Sequence, residues 1–299
     1  MIVRALKQSE GRNIEETQEK ARVLLEALPY LKQFAGRTVV VKIGGELVDD
    51  ENRARRLAED VVLLKSVGIN VVLCHGGGPQ ISRAMKRFGK EPCFINGQRV
   101  TDAETVEIVS MVLLGDINRK LVSMLNGHGP RAVGVSGIDG QLFLVHQKSP
   151  ELGYVGDIEA VSAGPVRQLI DSGFIPVVAS LGVDGAGQVF NINADIAAGK
   201  LARALKAEKL VVLTNVPGLY ECFGDEDTLI SEVETRSLQK MLTSGALTEG
   251  MIPKVEAVVT AINGGVAKAH ILDGRVEHAL LLEIFTPEGI GTMVTPPKH

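Results

Sequence analysis

The chain has 299 residues, 45% of them apolar, and a formal net charge of −4 with no long run of one sign. That length supports one large α/β domain or two smaller lobes, and the mild acidity argues against a nucleic-acid or polyanion binder, so an anionic ligand must be met by local charge. Cys74, Cys93 and Cys222 are too far apart for a CxxC metal pair and fit a reducing compartment; without a signal-peptide pattern or a run long enough to span a membrane, a cytoplasmic protein is expected.

Residues 1–35 precede the first strand and read as a helical extension. Asn13-Ile14-Glu15-Glu16 has the pattern of a helix start, with Asn13 as cap. Ala21, Leu24, Leu25 and Leu28 then share one face. Pro29 should kink or break this helix before a second short piece, Tyr30 to Phe34. The apolar stripe must bury against something, and its own subunit is the plain alternative.

Strands and helices alternate after that. Strands are expected over 38–43, 69–74, 132–135, 142–147, 175–179, 210–214 and 268–272. Helices are expected over 52–66, 79–88, 103–125 with a bend at Gly115, 166–172, 194–205 and 256–263. Asp184-Gly185 before Val189-Phe190 is a hairpin signal. The alternation predicts an α/β fold, an open, mostly parallel sheet sandwiched by helices. A seam near 205–206 would divide it into lobes 36–205 and 206–299.

Two glycine clusters each follow a β-branched run: Lys42-Ile43-Gly44-Gly45 and His75-Gly76-Gly77-Gly78-Pro79. Consecutive glycines let backbone N–H groups approach an anion without a Cβ in the way. The second cluster opens a helix whose N-terminus favours negative charge. The plain alternative is a tight turn needing several positive φ angles. Lys42 is a charge inside a strand, costly unless an anion meets it; a lysine snorkelling from an edge strand is the alternative.

Asn191-Ile192-Asn193-Ala194-Asp195 opens a helix with more polar side chains than capping by Asn193 needs. Lys254 sits in a helix's first turn, where a cation opposes the dipole and suggests a shared anion; taken alone, a solvated lysine is the preferred alternative. Thr214 to Tyr220 lies at a strand's carboxyl end, where open α/β sheets bind ligands; on its own, a plain turn is an equal alternative. Arg99 offers a guanidinium fork for a carboxylate, although a lone arginine is more often a surface ion pair. Neither a GxxxxGK[ST] loop nor a GxGxxG after the first strand is present, and the six histidines form no HExxH or Ser/His/Asp pattern.

In this order the segments resemble the amino acid kinase family, from about Gly36 to the chain's end. The pieces are Lys42-Ile43-Gly44-Gly45, His75 to Pro79, Gly97-Gln98-Arg99-Val100-Thr101, Asn191 to Asp195, Thr214 to Gly218 and Gly250-Met251-Ile252-Pro253-Lys254. The Gly-x-Arg-Val-Thr segment marks members acting on N-acetyl-L-glutamate. The resemblance implies phosphoryl transfer from ATP, with Mg²⁺ bridging its phosphates and no metal site of the protein's own, to that substrate's side-chain carboxylate on the arginine route. A carboxylate needs no general base at neutral pH. The barrier is repulsion between anions, which lysines and backbone N–H groups relieve.

By the same resemblance, Lys42 and Lys254 stabilise the transition state and Asp195 orients them. Gly77, Gly78, Arg99 and Asn191 hold acetylglutamate. Gly44 and Gly45 approach the phosphates, and Thr214, Gly218 and Leu219 hold ATP. Asn215 departs from the aspartate of many members. Arginine-inhibited members share an N-terminal helix that interlaces dimers into a hexameric ring, and a C-terminal segment like His278 to Thr292. This implies a trimer of dimers with L-arginine near His278, Glu283 and Gly289. Rival readings are a kinase of the same fold acting on carbamate, aspartate, glutamate or UMP, and a non-catalytic nucleotide sensor or storage protein, which would not need both lysines.

Overall fold

Unbroken apolar runs make strands that are buried on both faces, and here they build one eight-stranded sheet. The computed structural model describes the backbone of residues 2–129, 131–221, 225–245, 247–286 and 289–297, and the side chains of these apart from 2–13, 15, 16 and 226. Cys222, Pro287 and Glu288 lie outside the described residues.

The first part of the chain holds α1 (Ile2–Phe34), β1 (Thr38–Ile43), α2 (Gly45–Asp49), α3 (Glu51–Ser66), β2 (Asn70–His75), α4 (Gly78–Arg87), the small hairpin β3 (Phe94–Ile95) and β4 (Gln98–Arg99), α5 (Ala103–Ser110), a π-helical stretch (Met111–Asn118) and α6 (Arg119–Asn126). There follow β5 (Ala132–Ser136), β6 (Phe143–Gln147), β7 (Gly156–Val161), α7 (Gly164–Asp171), β8 (Ile175–Ala179), β9 (Leu181–Val183), β10 (Val189–Asn191) and α8 (Ala194–Leu205). The last part holds β11 (Lys209–Thr214), β12 (Leu219–Tyr220), β13 (Leu229–Ile230), β14 (Glu232–Glu234), α9 (Thr235–Ser244), α10 (Ile252–Asn263), β15 (Lys268–Asp273), α11 (Ala279–Phe285) and β16 (Thr292–Thr295).

The main sheet runs β14-β16-β15-β11-β1-β2-β8-β5, and β15–β16 is its antiparallel pair. The expected open, mostly parallel sheet is therefore present. β1 is central, paired with β11 on one side and β2 on the other, so Lys42 is not on an edge. The sheet runs unbroken across the expected seam at 205–206. Side-chain alternation divides the core. Val39, Val41 and Ile43 pack on the side of α3 and α6. Val40 packs on the side of α8 and α10, the side Lys42 shares by its position in the strand. A second, four-stranded sheet runs β10-β9-β6-β7. Its β9–β10 hairpin is turned by Asp184 Oδ1, which accepts from the N–H groups of Ala186 and Gln188 at 2.9 Å.

Three local expectations change. α1 is one helix from Ile2 to Phe34, so Asn13 lies inside it rather than capping it, and Pro29 does not end it. Proline removes a bond to the carbonyl four residues earlier, here Leu25, which is 67% exposed, so water can satisfy that oxygen. The stripe does not pack on its own subunit, since Leu24 and Leu28 are exposed as well. Near the end of α1, Phe34 enters the core. Where a bend was expected at Gly115, the helix carries a π-helical stretch, and Asn118 at its end points inward to Val177 O. α8 and α10 touch backbone to backbone. A Cβ on Gly199 would lie 2.5 Å from Ala257 O.

Candidate active site

Three elements bring one buried carboxylate between two lysines. Asp195 Oδ1 lies 2.9 Å from Lys42 Nζ at the end of β1, and Oδ2 lies 3.4 Å from Lys254 Nζ in the first turn of α10. Asn193 caps α8, its Oδ1 accepting from Asp195 N at 2.8 Å and Ile196 N at 3.2 Å, which fixes where Asp195 emerges. Burial alone would raise the Asp195 carboxyl, but the two ammoniums outweigh it and hold it below the usual range. Burial lowers Lys254, with Asp195 opposing. The cluster carries two positive charges against one negative.

The glycine turns work by close approach, not by special dihedrals. None of Gly44, Gly45, Gly76, Gly77 or Gly78 has a positive φ, so the tight-turn alternative does not account for them. A Cβ on Gly77 would come 2.2 Å from Ile117 Cδ1, and one on Gly45 would come 2.5 Å from Gln80 Oε1. The N–H groups of Gly44 and Gly77 donate to no described protein group. Gly45 and Gly78 open α2 and α4, where N–H groups have no intrahelical partner.

Two clefts share Lys42, Gly44 and Gly45 as a common wall. One is completed by Arg53, Thr214, Asn215, Lys254 and Arg275. The other takes in Gly77, Gly78, Arg99, Asn191 and Asp195. Arg99 is buried, and its Nη2 donates to Gly78 O at 2.9 Å and Ser82 Oγ at 2.8 Å. Its guanidinium lies 4.8 Å from the centre of the Phe94 ring. Burial lowers its pKa. Among the described residues no carboxylate pairs with it, and a buried cation without a counter-ion is costly. The second cleft therefore has an unanswered positive charge suited to a carboxylate.

The structure separates Gly218 and Leu219 from these walls. Leu219 is buried in the core and its N–H donates to Thr292 Oγ1 at 2.8 Å; Gly218 lies against the same threonine. The sequence reading missed Arg53 and Arg275. Arg275 is chelated by Asp273, Nη2 to Oδ2 at 2.7 Å and Nε to Oδ1 at 2.9 Å. It stands just past the carboxyl end of β15, so the strand-end rule applied to Thr214 could have found it. Among the described residues, no three His, Cys, Asp or Glu side chains gather to hold a metal ion. Nor is any described helix long and apolar enough to cross a membrane.

A third cavity lies between the end of α1 and the C-terminal segment, lined by Tyr30, Phe34, Lys209, His270, Glu283 and Gly289 among others. His278 is not part of it. His278 precedes α11 and turns to α3, with Nδ1 2.6 Å from Asp60 Oδ1. His270 of β15 takes its place, 2.7 Å from Glu283 Oε1. That oxygen also lies 3.1 Å from Lys209 Nζ, so Glu283 is already paired, and an incoming guanidinium would have to share it. Burial would raise Glu283, but His270 and Lys209 prevail and lower it.

Residues 37–273 match the profile of the Amino acid kinase family. A protein of Caldanaerobacter subterraneus subsp. tengcongensis named acetylglutamate kinase is 50% identical over 277 residues, covering 92% of this chain and 93% of that protein. The N-acetylglutamate synthase from Neisseria gonorrhoeae, solved with coenzyme A and N-acetyl-glutamate, superposes with a TM-score of 0.82 at 28% identity over 93% of this chain. The same synthase complexed with coenzyme A and L-arginine gives 0.79 at 29% identity, also over 93% of this chain. This chain spans 64% and 65% of the length of those two structures.

Proposed function

The chain belongs to the amino acid kinase family, and on that premise we propose that it phosphorylates the side-chain carboxylate of N-acetyl-L-glutamate with ATP, a step of arginine biosynthesis. A carboxylate oxygen attacks the γ-phosphorus, the bond to the β-phosphate oxygen breaks, and ADP leaves with that electron pair. The products are N-acetyl-L-glutamyl 5-phosphate and ADP. The observation that carries this reading is the Lys42–Asp195–Lys254 cluster where the two clefts meet: Lys42 lines both, Lys254 the first and Asp195 the second. ATP fits the cleft of Arg53, Thr214, Lys254 and Arg275, and acetylglutamate the cleft of Gly77, Arg99 and Asn191. Glu46 is the carboxylate on the ATP side, so Mg²⁺ would ride mainly on the phosphates, where it neutralises charge. The part 36–205 thus supplies most acetylglutamate contacts, and 206–299 contributes Thr214, Lys254 and Arg275 to the ATP side. The reaction belongs in the cytoplasm.

Hydroxylamine trapping tests the reading directly. ATP and acetylglutamate should give a hydroxamate, while carbamate, aspartate and glutamate should not be phosphorylated. ATP binding without turnover of any carboxylate would favour a nucleotide sensor instead. Arg99→Ala should raise KM for acetylglutamate at least about tenfold, since it removes a charge-assisted contact to the non-reacting part of the substrate. An unchanged acetylglutamate KM with a raised ATP KM would reverse the assignment of the two clefts.

We also infer a hexamer, a trimer of dimers, inhibited by L-arginine in the third cavity. Two observations support this. The α1 stripe is exposed on the single chain, with Leu24 at 70%. The cavity lies where that helix meets Lys209, His270 and Glu283. A second copy covering the stripe would join assembly to the state of the cavity, and arginine would favour an open, poorly aligned active site. Deleting residues 1–28 should leave an active dimer with weakened arginine sensitivity. Full-length protein that scatters light as a dimer and ignores millimolar arginine would remove this inference and leave the kinase reading standing.

A further inference from the structure

His75 ends β2 and is fully buried. Two contacts fix its ring. Asn118 Nδ2 lies 3.0 Å from His75 Nε2, and His75 Nδ1 lies 3.2 Å from Gly76 O. Asn118 Nδ2 also donates to Val177 O at 2.8 Å. A carbonyl accepts, so the nitrogen end of the amide, not the oxygen, faces this corner. His75 Nε2 must then accept, and the ring proton sits on Nδ1 and donates to Gly76 O. Gly134 makes room, since a Cβ there would lie 1.9 Å from Asn118 Oδ1.

The Gly76–Gly77 peptide is trans. Its N–H therefore points opposite its C=O. With Gly76 O drawn to the buried ring, the Gly77 N–H turns to the cleft, where no described group accepts it.

We propose that His75 and Asn118 are positioning residues, which hold the Gly76–Gly77 peptide so that the Gly77 N–H donates to an oxygen of the phosphoryl group as that group reaches the carboxylate. The proposal rests on the kinase reading. Neither side chain touches substrate. Burial pushes the ring down to about 4, with the bond to Gly76 O acting against it, so the imidazole stays neutral near neutral pH. The charged Lys42–Asp195 pair acts on Cys74, the preceding residue, whose side chain faces the other side of the sheet.

Nitrogen NMR of the labelled wild-type protein should show His75 as the Nδ1–H tautomer, unchanged from about pH 6 to 9. His75→Leu should lower kcat at least about tenfold with little change in ATP KM, because a misaimed donor acts in the transition state. His75→Asn places an amide nitrogen near the Nδ1 position and should recover most of that loss. If His75→Leu does not fold, Asn118→Ala replaces it: kcat should fall and the tautomer should become mixed. An Nε2–H tautomer, titration within that pH range, or equal kcat losses in H75L and H75N would overturn the proposal. A folded wild type that phosphorylates no carboxylate would instead remove the kinase reading and leave the tautomer result intact.

Discussion

Lys254→Ala and Lys42→Ala should each lower kcat by about two orders of magnitude or more, because one preorganised charge on the transferring group is worth a few kcal/mol. The expectation comes from position. Both ammoniums are held within 3.4 Å of one carboxylate, Lys42 on the wall the two clefts share and Lys254 in the first cleft. Attack brings an anionic oxygen to an anionic phosphate, so removing either cation restores repulsion at the moment it matters most. ATP KM should move less than kcat. Steady-state kinetics with both substrates varied would check this. A loss confined to ATP KM would place the lysine on ground-state nucleotide instead.

Asp195→Leu should have the largest effect on the fold. It leaves Lys42 and Lys254 facing each other without a counter-ion, and removing one partner of a buried ion pair costs about 3–5 kcal/mol. Urea unfolding should show a lower midpoint with an unchanged slope. The pH dependence follows from the lowered Asp195 pKa. A carboxyl lower in the folded state than in the unfolded chain stabilises fully above the ordinary carboxylate pKa of about 4, and that contribution fades as pH falls through the lower folded value. The variant should lose this part of the acid limb and be nearly as unstable at pH 7 as at pH 4. An unchanged midpoint at pH 7 would show that the two lysines do not need Asp195.

Much of this centre was legible because its signals are local. Val39 to Ile43 and Val71 to Cys74 are β-branched or apolar runs with glycines after them, and they became β1 and β2 with open turns. Lys42 stood out because a charge inside a strand is costly, while Lys254 gained weight only from the motifs around it. What was not legible depends on partners distant in sequence. His278 and His270 flank the same loop, and nothing local says which one meets Glu283. The choice is made when α11 packs beside α3 and α1 and brings Glu283 to His270 of β15. Leu219 looked like part of a ligand turn, but Thr292, which anchors it, lies 73 residues away. Pro29 failed as a helix stop because the carbonyl it leaves unpaired belongs to an exposed residue, Leu25. The π-helical stretch left no mark beyond Gly115, yet it carries Asn118 to His75.

The contact of Gly199 with Ala257 makes the spacing of Asp195 and Lys254 a property of two helices rather than of two side chains. α8 carries one charge and α10 the other, and their backbones already touch. Nothing can be squeezed from such a contact, and parting it would open a void. A pull on Lys254 would therefore load α8 as well and reach Asp195, on the wall of the neighbouring cleft. The two clefts share a stiff strut, and a larger side chain at position 199 would lengthen it.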